Sequence, residues 1–352
     1  MSYEHGIAAL NLEMPDTVPR TEYSAESHWE LVKKVTGIEV NAFSSKEEQQ
    51  KATNAFINAW DYGFVWNILI HNQIFGDKKT SMGHAVYASE GVDFSNHKSK
   101  LFDNPEDVYG LDMFETYGVR DINVLTDQFN NHYDTECARG LDTVSMTGIY
   151  VTCMSGLIEL FGWDILLLAA GTDSLKFGSF INRYTDWIKQ YFNALALCTS
   201  PIVMIHDDIV WTEGPFLHPD FYREFIFPNY RKLFQPLHEA GKKILFTSDG
   251  TYTMFIDDIA DCCVHGFVME PTTDMQYVTD KYGKTHVFVG NADTRILLRG
   301  TKEDIEMEVK RCMDIGKKYP GFFMNVGNHI PSNTPVDNAI WYDECYRKMA
   351  KR

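Results

Sequence analysis

From about residue 140 onward the chain repeats one theme: a short apolar, β-branched-rich run, a polar or glycine-containing cluster, then a longer segment with helical spacing. That alternation is the signature of parallel strands joined by helical crossovers. The strand runs are TVSMTGIYV (143–151), PIVMIHDD (201–208), KILFTSD (243–249), HGFVME (265–270), THVFVGN (285–291) and GFFMNVG (321–327), and FVWNILI (64–70) reads as an earlier one. The spacing predicts helices over 174–197, 220–241, 251–263 and 301–319. Thr301 and Asp304 start the last of these, and Gly241 caps the end of the second.

Six or seven strands alternating with helices fit a single (β/α)8 TIM-type barrel better than two domains. A doubly wound open sheet is the main alternative, but no GxGxxG loop follows any strand. The expected organisation is one domain over 1–352, with residues 1–60 as an N-terminal extension with helices and residues 1–25 decorating or closing the barrel base. The segment 71–140, with His71, His84, His97 and many turn formers, is the least regular and is expected to form lids or loops.

Composition bounds the function. Hydrophobic residues at 44% and charged residues at 23% suit a chain with a substantial core. A net charge of −17 argues against nucleic acid as a partner, because phosphate backbones are bound through lysine and arginine. The first residues hold no charged and apolar leader, and no run is expected to approach bilayer-spanning length, so the expectation is a cytoplasmic protein without a membrane partner. Seven scattered cysteines without a CxxC pair read as reduced thiols.

In a β/α barrel, polar residues that end apolar strands converge on one pocket whatever their separation in sequence. Those residues are His206, Asp207 and Asp208; Ser248 and Asp249; Glu270; Asn291 and Asp293; and Asn328 and His329. Several carboxylates gathered there call for a proton, a cation or a metal. Ordinary structural roles stand beside the functional ones. Asp207 and Asp208 can cap a turn, a role expected of at least one of them, and Asp249 before Gly250 can satisfy its own turn. Glu270 precedes Pro271 and cannot cap a helix. His329, in a proline-rich loop, has the surroundings of an ordinary satisfied loop histidine. No GxSxG elbow, phosphate loop or HExxH element is present, so a metal site must be assembled from distant strand ends.

The stretches HDDIVWTEGPFLHPDFYREFIFPNYRKL, GKKILFTSDG, FVMEPTTDM, GNADTRILLRGTKEDIEMEVKRC and GFFMNVGNHIPSNTP, in this order and spacing over roughly residues 143–345, resemble the uroporphyrinogen decarboxylase superfamily. That family includes the haem-pathway decarboxylase and corrinoid-linked methyltransferases. The resemblance implies a (β/α)8 barrel with its pocket at the strand C-termini. The decarboxylase carries an arginine-rich substrate motif, whereas residues 1–60 here contain Arg20 as the only arginine. Thiol-methylating members hold zinc through His-x-Cys and a further cysteine, whereas Thr247, Asp249 and Asn328 stand at the matching positions.

What the resemblance then implies is a methyltransferase that moves a methyl group from a small methoxylated, aromatic compound to the cob(I)alamin of a separate corrinoid protein. The chain has no Asp-x-His-x-x-Gly cobalamin element of its own. His206, Asp249 and Glu270 are the expected catalytic residues and the expected ligands of a zinc ion, if one is held, with His329 in reserve. Asp207, Asp208, Asn291, Asn328 and His329 are expected to line the substrate. A decarboxylase acting without corrinoid, or a non-catalytic corrinoid- or tetrapyrrole-binding barrel, are the competing readings, and a homodimer is left open.

Overall fold

The computed structural model of the chain describes residues 2–69, 74–80 and 101–352. His71, His84 and His97 lie outside the described residues.

Among the described residues eight strands follow in chain order: β1 (Thr147–Ile149), β2 (Ile202–His206), β3 (Val210–Trp211), β4 (Gly214–Pro215), β5 (Lys243–Thr247), β6 (Gly266–Val268), β7 (Val287–Val289) and β8 (Phe322–Phe323). Six of them form one parallel sheet in the order β1-β2-β5-β6-β7-β8, while β3 and β4 make a small antiparallel ribbon directly after β2. Two further segments continue the sheet through single parallel bridges, Arg20 to both Met324 and Tyr62, and Phe64 to Val144. Backbone hydrogen bonds follow the same path: Met324 N to Pro19 O at 2.9 Å, Gly63 N to Arg20 O at 2.7 Å, and Val65 N to Val144 O at 3.0 Å. With these two segments the six strands make eight parallel positions around one axis, the arrangement of a TIM-type barrel.

Residues of the expected N-terminal extension therefore enter the ring itself. Their strand character was hidden because they pair through isolated bridges, at Arg20 and Tyr23, and not through a continuous ladder. The described part of the run 64–70 joins the ring beside β1: Phe64 bridges Val144, and the N–H groups of Val65 and Leu69 donate to the carbonyls of Val144 and Gly148, each at 3.0 Å.

Alternation along the strands separates two cores. Ile202 and Met204 face inward with Leu245, Val268, Val287, Val289 and Phe323, while Val203, Ile205, Ile244, Phe246, Phe267 and Phe288 face the outer helices. Helix Ser174–Leu197 has the expected bounds. The expected helix 220–241 is broken into Pro219–Phe221, a wide π turn Tyr222–Ile226, and Phe227–Glu239. Pro228 explains the break, because it brings no N–H for the carbonyl one turn earlier. Thr301 and Asp304 form a capping box at the start of Lys302–Gly316.

The segment expected to be lids or loops instead carries helices Pro105–Gly110, Met113–Tyr117 and Ile122–Cys137. Helix Met154–Thr172 is, contrary to the expectation, long and apolar enough to cross a membrane by length and composition; 72% of that stretch is buried inside the protein, as a core helix is. Its mostly apolar sequence answers to packing on nearly all sides.

Candidate active site

The inward parity that places Met204 and Leu245 in the barrel interior brings His206 and Thr247 to the top of the same two strands, paired in register. The chain then leaves β2 through Asp207 and Asp208, and β5 through Ser248 and Asp249. His206 Nε2 lies 3.5 Å from Asp208 Oδ1. One ligand atom each from His206, Asp208 and Asp249 falls within 4.8 Å of the others. The Asp249 backbone N–H donates to Asp208 Oδ1 at 3.2 Å, tying the two strand ends together. Tyr150, the last inward residue after β1, stacks on the His206 ring at 3.9 Å between centroids and 13° between planes.

Glu270 stands beside this trio. Its Oε2 accepts from the Gly250 N–H at 2.8 Å and its Oε1 accepts from the Asn328 amide. Gly250 is required here: its φ is +80°, and a Cβ would sit 2.5 Å from the carbonyl oxygen of Trp211. The Asp249 carboxyl is raised to about 8, first by burial, then by the charges of Asp208 and Glu270, against which the nearby His206 acts. His329 is lowered to about 4 by burial and by His206. Its ring hydrogen-bonds Ser24 and packs on Tyr23 at 4.5 Å. Burial, Glu26 and Asp249 push the Tyr23 hydroxyl up in turn.

The expected residues divide on inspection. His206, Asp208, Asp249, Glu270, Asn328 and His329 come together. The trio with metal-ligand spacing contains Asp208 where Glu270 was expected, because both Glu270 oxygens are already held by Gly250 and Asn328. Asp207 is fully buried and accepts the backbone N–H groups of Cys153, Met154 and Ser155 at 3.2, 2.9 and 2.6 Å, together with the Tyr230 hydroxyl. It caps helix Met154–Thr172 and is a support of the site, not part of a substrate lining.

Asn291 is also fully buried. Its amide donates to the Glu270 and Thr273 carbonyls at 3.1 and 3.0 Å, and its oxygen accepts from Arg311, so it braces the Glu270 loop. Ser248 accepts from the Ile209 N–H, and Asp293 caps the helix Thr294–Arg299 while pairing with Arg295 at 2.6 Å. Arg20 is sealed inside, 2.8 Å from Asp343.

Tyr23, Ser24 and Tyr150 were missed. Tyr150 was legible from its even spacing with Met146 inside one strand run. Tyr23 and Ser24 were not, because no pattern marks their segment as part of the barrel. All seven cysteines are free thiols and none belongs to the trio.

The family model for uroporphyrinogen decarboxylase (URO-D) matches residues 162–349. A uroporphyrinogen decarboxylase of Geobacter metallireducens is 26% identical over 176 residues, 50% of this chain and 50% of that one. One of Thermus thermophilus is 25% identical over 170 residues, 48% of each. The match thus spans about half the length of these curated relatives. Among solved structures, a methyltransferase from Methanosarcina mazei superposes with a TM-score of 0.65 over 99% of this chain and 98% of its own, at 16% identity.

Proposed function

The chain belongs to the uroporphyrinogen decarboxylase family, and from that premise we propose that it is a methyltransferase taking a methyl group from a small methoxylated aromatic compound and passing it to the cob(I)alamin of a separate corrinoid protein. The observation that carries this reading is the trio His206, Asp208 and Asp249, a nitrogen-and-oxygen donor set suited to activating an ether oxygen and unlike a thiolate site.

The residues fit a divalent ion of zinc-like character. One imidazole and two carboxylates lie within reach of a common point, and of the causes that raise Asp249 to about 8, burial first and then the charges of Asp208 and Glu270, a cation relieves the second. When bound, such an ion would supply Lewis acidity at the ether oxygen, and a partner's corrinoid would supply the acceptor of the methyl group.

The chain's own side chains do the rest. Without an ion, Asp249 carries a proton at neutral pH and can donate it to the phenol oxygen as that oxygen keeps the pair from the broken O–CH3 bond. As a ligand, Asp249 has given that proton up, and the cation takes over its task. Tyr150 fixes the His206 ring plane, and Asn328 with Gly250 fixes Glu270.

The test is direct: the protein, a corrinoid protein in the cob(I)alamin state and a panel of methoxyarenes are mixed, and methylation is read from the corrinoid absorption spectrum. The names of the curated relatives favour a second reading, decarboxylation of uroporphyrinogen. A polycarboxylate needs several cationic partners, and Arg295 near Glu270 is already paired with Asp293. Release of CO2 from uroporphyrinogen with an unchanged corrinoid spectrum would select that second reading.

A further inference from the structure

Strand parity decides which side chains stand between the apolar barrel interior and the acidic trio. Phe64, Met146, Met204, Leu245, Val289 and Phe323 belong to the inner cluster, and Trp66 packs against it. The next inward positions on the segment after Phe64 and on β5 are therefore Trp66 and Thr247, the latter level with His206. Trp66 touches Phe64 at 4.9 Å between ring centroids and Tyr23 at 6.5 Å, and Tyr23 leads on to His329. Both positions carry a buried polar atom without a hydrogen-bond partner among the described residues: Nε1 of Trp66 and Oγ1 of Thr247. An indole N–H can only donate, and folded chains leave few buried donors unpaired unless something from outside the chain completes them.

We propose that Trp66 Nε1 and Thr247 Oγ1 are the donors that orient the ligand, holding a neutral oxygen acceptor (ether, phenol or carbonyl) of a small aromatic molecule at the level of His206, beside Asp208 and Asp249. The aromatic class rests on the methyl-donor reading; the position of the acceptor does not. A carboxylate is disfavoured at this position: Asp208, Asp249 and Glu270 lie close by, and neither donor is cationic.

Calorimetric titration of the full chain with guaiacol and with benzoate tests this, alongside Trp66→Phe and Thr247→Val. Thr247→Val removes its donor at nearly constant bulk, and Trp66→Phe removes its donor together with part of the ring. Guaiacol affinity is expected to fall by about threefold to tenfold in each, the weight of one neutral hydrogen bond. The Tm of Thr247→Val without ligand should not fall, since an unpaired buried donor has been removed. Benzoate should bind the wild-type protein more weakly than guaiacol. In a proton–nitrogen correlation spectrum, the indole signal missing from Trp66→Phe should move when guaiacol is added to wild type.

Unchanged affinity in both variants, a lowered ligand-free Tm in Thr247→Val, tighter binding of benzoate, or no binding of guaiacol each overturns the proposal. Guaiacol binding with the expected losses but no methyl transfer removes the methyltransferase reading and leaves these donors in place. Methyl transfer indifferent to both substitutions does the reverse.

Discussion

Asp207 and Asp208 are adjacent in sequence and differ in every physical respect. Asp207 is buried and holds three backbone N–H groups and a tyrosine hydroxyl. Asp208 faces His206 and Asp249. Asp207→Ala should therefore cost about 2–3 kcal/mol of stability, the loss of a helix cap with its donors left unpaired, and be visible as a lower denaturant midpoint. Asp208→Ala should leave that midpoint within about 0.5 kcal/mol while lowering turnover about a hundredfold. Equal effects of the two on stability would show that the division of labour is wrong.

Asp249 makes a prediction with a sign. Its folded value, about 8, lies above the unfolded 3.8, so the folded state binds the extra proton and this group's contribution weakens as pH rises from about 4 to about 8. In Asp249→Asn, the difference in Tm between pH 5 and pH 8 should shrink. Zinc affinity measured by equilibrium dialysis should rise by about tenfold per pH unit below 8, because one proton leaves as the ion enters. X-ray absorption on the bound ion should show nitrogen and oxygen scatterers only; a sulfur shell near 2.3 Å, roughly the zinc–thiolate distance, would refute the trio as its ligands.

At the scale of elements, the six strands of the sheet and the crossover helices were legible, because apolar runs of period two and helical runs with caps repeat in order. Which of several polar strand-end residues does chemistry was legible only in part. His206, Asp249 and Glu270 follow from their place after an apolar run. Choosing Asp208 over Asp207 needs the position of helix Met154–Thr172, whose N-terminus lies some fifty residues upstream. The segment around Arg20 was illegible, since isolated bridges at Arg20 and Tyr23 impose no apolar alternation, and with it went Tyr23 and Ser24; the run 64–70 reads as a strand, but the inward face of Trp66 needs the ring. Gly250 joins two elements at once. Gly250→Ala should cost about 1–2 kcal/mol for its left-handed backbone and also release Glu270, so activity should fall by more than stability alone explains, a split that turnover measured well below the Tm would resolve.

For the molecule as a whole, Arg20 is the fastening between its first and last segments. Fully buried, it pairs with Asp343, donates to the Trp60 carbonyl at 2.8 Å, and lies over the rings of Trp60 and Tyr346 at 4.2 and 4.6 Å. Arg20→Met should lower stability by about 3 kcal/mol in chemical denaturation, and Arg20→Lys should not restore it, because a point charge cannot replace a planar fork stacked between two rings.

The same seam sets an order in time. The ring closes where Asn325 reaches the carbonyl of Thr21, 304 positions away along the chain. A nascent chain can pair β1 through β7 as they emerge, but Pro19–Thr21 has no β8-side neighbour until Phe322–Met324 has been synthesised. Loop closure over such a separation is slow and entropically costly. Until then the inner apolar face of the sheet lies open on one side, as a surface for chaperones or for aggregation. The pocket, which draws on Tyr23 and His329 together, comes into being only at that last step.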